Sequence, residues 1–229
     1  MRYFRLSGVF AIALAFPILL SACGSTGPSA DPRSAGSSTA TDSEDLESLY
    51  WQKKEESRTY TQADVMFMTG MITHHAQALI MCDLASKNGA SPAVQTLCSR
   101  IINSQSDEIK TMQNWLRQRG QPVPEVVLSG LRVGIEGVPN PILFMSGMLT
   151  DKQMQELAAA RGKEWDRLFL TGMIMHHTGA VNMVTELFKE DGSGQDPATF
   201  KLASDINVDQ RTEIARMELM LNGLVDASR

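Results

Sequence analysis

The chain has 229 residues and a formal net charge of −5, with acids and bases interspersed along it. That length suffices for one medium domain or two small ones. The charge leaves no basic stripe of the kind a nucleic acid needs, so no nucleic-acid partner is expected.

In chain order, Arg2 and Arg5 precede a mostly apolar run from Leu6 to Leu20, interrupted by Ser7, Gly8 and Pro17. The run is short for a transmembrane span and has the layout of a secretory signal. It ends in Leu20-Ser21-Ala22-Cys23, which resembles a bacterial lipobox. The resemblance implies cleavage before Cys23 and a lipid on its sulfur. The protein would then be anchored to the cell membrane on the extracytoplasmic side, without spanning it. An ordinary signal peptide cut after Ala22 would instead leave Cys23 as a thiol. Residues 1–22 are thus read as the signal, 23–45 as a flexible Ser/Gly/Thr/Ala/Pro tether, and 46–225 as the folded domain. No later segment reads as long and apolar enough to span.

The domain contains a duplication. Asp64-Val-Met-Phe-Met-Thr-Gly-Met-Ile-Thr-His-His75 matches Asp166-Arg-Leu-Phe-Leu-Thr-Gly-Met-Ile-Met-His-His177, with Met81 and Met183 following at the same distance. Downstream, Gln105-Ser-Asp-Glu108-Ile-Lys-Thr-Met112 matches Gln210-Arg-Thr-Glu213-Ile-Ala-Arg-Met217. Two matches in the same order define a repeated pair of helices. Apolar spacing of three and four places the first helix from about residue 64. Asn88-Gly89-Ala90-Ser91-Pro92 stops it and starts a second, from Pro92 to Arg119, with Ser91 as N-cap. The second pair runs from about Glu164 to Lys189 and from Pro197 to Leu224. Repeat one is therefore about 60–120, repeat two about 163–225, and 121–162 a connector. Within the connector, 121–146 is rich in Pro, Gly and Val and reads as irregular, and Thr150 or Asp151 caps a short helix ending at Ala160. Glu44 to Arg58 reads as one further short helix. Two hairpins joined by a long link predict an all-α four-helix bundle.

After processing, Cys82 and Cys98 are the remaining cysteines. They lie on opposite arms of the first hairpin, level with each other and on the inward stripes. Export places them in an oxidising compartment and favours a disulfide. The alternative is a pair of thiolate metal ligands, which Val184 and Ala203 at the matching positions of the second repeat argue against. A disulfide there would set His75 level with Gln105, Met71 close to Glu108, and Met68 opposite Met112.

The 4 His of the chain all fall in the duplicated pairs, His74-His75 and His176-His177, and the chain carries 14 Met. Thioethers suit Cu(I), and imidazole suits copper and zinc. Met71 with His75, and Met173 with His177, are four apart and share a face, as do His74 with Met81 and His176 with Met183. Met112 and Met217 lie on the facing stripes. Core packing is the alternative for any one of these methionines; their joint recurrence around every histidine points to a metal site. Glu108 and Glu213, with Gln105 and Gln210 one turn earlier, lie on inward stripes. They are expected to face the histidines as orienting acceptors or direct ligands. Asp64 and Asp166 are read as helix-start charges.

These motifs resemble the bacterial family called domain of unknown function 305, whose Met-Ile-x-His-His core and Gln-x-x-Glu-Ile-x-x-Met helix appear in both halves over about residues 60–225. The resemblance implies a ferritin-like bundle and a likeness to periplasmic copper-binding proteins of the CopM type. The expectation is a metal-holding protein with copper as Cu(I) or Cu(II), zinc as a second candidate, and no catalytic motif. A structural or interaction module is the alternative. A di-metal oxidase would need a Glu three residues before a His, and no His here has one.

Overall fold

The computed structural model describes residues 46–50, 59–138 and 144–226. The signal, Cys23 and the tether lie outside them, as do residues 51–58 of the expected first short helix. The chain divides into two compact units, 1–51 and 52–229. In the first, residues 46–50 are helical; everything below concerns the second.

Four long helices make up the second unit: α1 (Gln62–Lys87), α2 (Pro92–Gln118), α4 (Gly162–Lys189) and α5 (Pro197–Asp226), with the short α3 (Asp151–Ala159) before α4. The fold is the expected all-α, ferritin-like bundle of two helical hairpins. α1 packs on α2, α4 on α5, and the hairpins meet along α1 and α4.

Local chemistry places the ends. Thr61 caps α1 in a reciprocal box with Asp64, and Ser91 caps α2 ahead of Pro92. Thr150 caps α3 in a second box with Gln153. Gly89 at φ 71° lets the chain leave α1 in a left-handed turn. α1 is long and apolar enough by composition to cross a membrane, contrary to the sequence expectation, but most of it is buried inside the bundle.

The connector departs from its expected irregularity. Glu125–Ser129 and Arg132–Glu136 form an antiparallel β-hairpin, β1 and β2, with Ser129 opposite Arg132. Gly130, at φ 61°, begins its two-residue turn. Asp166 is also not a helix-start charge: it is buried and both its oxygens accept the Ser91 amide at 3.2 Å. It thus ties the turn of one hairpin to the start of the other. Asp64 does cap its own helix, and its second oxygen accepts the Gly194 amide at 2.7 Å.

Candidate metal centre

All four histidines are fully buried in the middle of the bundle. Adjacent helical residues point about 100° apart, so each pair divides its tasks. His74 and His176 turn towards the seam between α1 and α4, where their rings lie 3.8 Å apart, centroid to centroid. His75 and His177 turn towards the partner helix of their own hairpin. His75 Nε2 donates to Glu108 at 2.7 Å, and His177 Nε2 donates to Glu213 at 2.7 Å. The expected level partner is Gln105; the structure instead pairs His75 with Glu108, one turn further along α2.

The inner pair is held by backbone. His176 Nε2 donates to the His74 carbonyl at 3.0 Å, and His74 Nε2 donates to the Ser146 carbonyl at 3.2 Å. A carbonyl or carboxylate can only accept, so Nε2 carries the proton and the Nδ1 of each neutral ring is a bare lone pair. None of the four Nδ1 atoms has a hydrogen-bond partner among the described residues. The buried side-chain amide of Gln105 and the Gln210 carbonyl oxygen are likewise unpartnered; among the described residues only the Trp165 indole nitrogen shares that state elsewhere. An unsatisfied buried polar atom costs about 1–3 kcal/mol, and such atoms are rare in folded proteins. Here they concentrate in one layer, and the layer is rich in metal donors.

The electrostatics agree with neutral rings at His74, His176 and His177. Burial, reinforced by His75, lowers the pKa of His74 to about 3 against the upward pull of Ser146. Burial followed by the other histidines lowers His176 well below its ordinary value. Burial also lowers His177, opposed by Glu213. The carboxylates stay partly open to solvent, 14% for Glu108 and 20% for Glu213. Asp209 is raised by its own burial and then by those two carboxylates. A cleft of about 260 Å³ lined by Ser104, Asp209 and Glu213 reaches Glu213 from outside.

Methionines fill the core on the same helices. Met71 and Met112 pack in one core cluster, and Met81, Met173 and Met217 in the other; all five are fully buried. Met183 is partly buried against the first cluster. Cys82 and Cys98 are buried and stand as free thiols, not as the expected disulfide. The Cys82 thiol is raised by burial, then by its hydrogen bond with Cys98, with a further contribution from Glu213. No three His, Cys, Asp or Glu side chains among the described residues already converge as a ready metal cage.

Sequence reasoning missed Ser146, Met145 and Gly179. The connector crosses α4 where Gly179 has no side chain: a Cβ there would meet the Ser146 carbonyl oxygen at 1.9 Å. Gly147, at φ 82°, makes the reciprocal approach to the Met175 carbonyl. The crossing delivers the Ser146 oxygen to His74.

The chain is thus a duplicated helical bundle with a buried layer of imidazoles, each fixed by an acceptor on one nitrogen, and with buried methionines in both core clusters. The chain belongs to the domain of unknown function family DUF305, whose model matches residues 64–221. Solved structures agree. A candidate secreted DUF305 protein from Streptomyces coelicolor is 25% identical, covering 71% of this chain and 93% of that one with a TM-score of 0.59. A DUF305 fragment from Deinococcus radiodurans is 29% identical, covering 71% and 97%, with a TM-score of 0.58. CopM in its Cu(I)-bound form is 28% identical, covering 70% and 96%, with a TM-score of 0.52. CopM is also known in Cu(II)-bound, Ag-bound and apo forms. Among proteins of curated function, none matches this chain.

Proposed function

We propose that the protein is a lipid-anchored, extracytoplasmic copper-binding protein that buffers copper or hands it on. The observation that carries this reading is the set of four buried imidazole lone pairs at Nδ1 with no partner, each on a ring whose other nitrogen is engaged. That arrangement fixes the tautomer and orients the donor, as acceptors behind metal-bound histidines do. Met71, Met81, Met112, Met173, Met183 and Met217 offer soft sulfur for Cu(I). The imidazoles, with Glu108, Glu213, Gln105 and Gln210 beside them, suit Cu(II), and zinc is the competitor. The copper-bound forms of CopM support the choice of metal. The signal and lipobox ending at Cys23, and the secreted character of the Streptomyces relative, support the location. Mass analysis of the mature N-terminus tests the anchor: the lipid should disappear in Cys23→Ser.

The purified, untagged chain is titrated anaerobically with Cu(I), and separately with Cu(II), Zn(II) and Fe(II). The comparison is a variant with His74, His75, His176 and His177 all changed to Gln. Stoichiometric binding of copper is expected, with fewer equivalents bound, and Cu(II) binding lost or strongly weakened, in that variant. Equal uptake by the two proteins refutes the histidine core as the site. No stoichiometric metal in either leaves a helical packing module, and oxygen consumption by an iron-loaded form would favour an oxidase.

A further inference from the structure

The two repeats are not equally filled. Met81 of repeat one reaches across to Gly172, its Cε 3.6 Å from where a Cβ would lie, and Met183 of repeat two reaches across to Gly70, its Cε 3.5 Å from the corresponding point. These are equivalent positions in the duplication, but their surroundings differ. Beside Gly172 stands Leu149, 3.1 Å from the Cβ point, and nearer the start of the same helix the fully buried Trp165 is stacked on Phe169 at 4.9 Å. Met154 and Leu157 of α3 close that side in the same core cluster. In repeat one the equivalent of Trp165 is Ala63, and among the described residues a cavity of about 750 Å³ lies beside Ala63 and Gly70. Its lining includes Met66, Met145, Met183 and Ser146, together with the carboxylates of Glu186 and Glu190. Met145 Sδ lies 2.9 Å from the Gly70 Cβ point, so the absent side chain is what lets two methionines meet there. Met66 is 54% exposed, an uncommon setting for a thioether that only packs.

We propose that this cavity is a second metal site beside the imidazole layer, in which the Met66 and Met145 thioethers, with Met183 shared between the two sites, take up a soft monovalent ion, Cu(I) or Ag(I). Three neutral sulfurs in a largely apolar recess favour a soft, weakly hydrated cation over Cu(II) or Zn(II), which prefer nitrogen and oxygen. The recess adjoins the core: Ser146, next to Met145, carries the carbonyl that accepts from His74. The site therefore adjoins the histidine layer through Ser146, where an ion arriving from solvent would be held beside the imidazoles. The inference deepens the copper reading and rests on it.

Its test uses the full chain and Cu(I) held in competition with a chromogenic chelator, with Ag(I) as an air-stable second probe. Met66→Leu/Met145→Leu is the pocket variant; Leu keeps the bulk and removes the sulfur, and neither residue belongs to the histidine core. Gly70→Ala is a second variant, which drives a methyl group into Met145 Sδ. Each pocket variant should lose one equivalent of Cu(I), or bind it at least tenfold more weakly, while Cu(II) uptake is unchanged. The four-histidine variant should retain that equivalent, with a sulfur-only coordination shell by X-ray absorption. Pocket variants indistinguishable from the parent, or a four-histidine variant that binds no Cu(I), would overturn the proposal. Cu(I) kept by the four-histidine variant and lost by the pocket variant would uphold it while refuting the histidine core.

Discussion

The metal-free protein should be acid-labile, and His74 gives the effect a size. Its pKa falls from 6.5 in the unfolded chain to about 3 in the bundle because burial, then the neighbouring His75, disfavours the charged ring. Above pH 6.5 the ring is neutral in both states and makes no pH-dependent difference. As the pH falls from there, the unfolded chain binds a proton that the folded one refuses. Stability is lost through that window, and the loss is complete below the folded pKa. Going from pH 8 to pH 5, His74 alone should cost about 2 kcal/mol, or roughly 1 M in the urea midpoint for a protein of this size. His176 and His177 act in the same direction. The assay is urea unfolding at both pH values for the parent and for His74→Gln, whose amide can still donate to Ser146 but does not titrate. The variant is less stable at pH 8, yet the gap between the two proteins should shrink by about 2 kcal/mol at pH 5. An unchanged gap would refute the account of His74 as a buried neutral ring.

Removing the charge behind the outer imidazoles, in Glu108→Gln or Glu213→Gln, should weaken copper binding about 10- to 100-fold with the helical content preserved; chelator competition measures the first and circular dichroism the second. Gly179→Ala should destabilise the bundle by about 3 kcal/mol or more, since the methyl group would overlap the Ser146 carbonyl; a melting temperature unchanged from the parent would contradict the crossing described above. Oxidation of the adjoining Cys82 and Cys98 thiols to a disulfide should add about 3 kcal/mol. Thiol counting on protein exported from cells, with unfolding before and after reduction, distinguishes the pair from two persistent thiols.

The helices were legible because their information is local. The stripe of α1, the Ser91-Pro92 restart and the Thr150 cap are each readable within a few residues, and the duplication doubled the signal. The β-hairpin of the connector was hidden by Pro and Gly, although Val126-Val-Leu-Ser-Gly-Leu-Arg-Val133 carries two short β-prone runs about a glycine turn. At the site, the residues that recur in both repeats could be found: the histidines, the methionines, Glu108 and Glu213. What could not be read was whatever depends on how the hairpins meet. The close approach of His74 and His176, the grip of Asp166 on Ser91, and the seating of Met145 against Gly70 all join residues far apart in sequence. The one periodic cue was the pair of glycines at positions 70 and 172, which permits close approach without saying what approaches.

The acceptors of the two inner histidines are not equivalent. His176 donates to a carbonyl of the opposite repeat, whereas His74 donates to the connector. A single hairpin pairing with a copy of itself would have to treat both rings alike, and the strand passing over Gly179 would have to pass over residue 77 as well. Residue 77 is a glutamine here, and it grips the connector instead, through both the amide and the carbonyl of Leu149. A duplication carried in one chain can therefore give its two halves different surroundings, as it does at His74 and His176. A self-dimerising ancestor of half the length would have been confined to two identical faces.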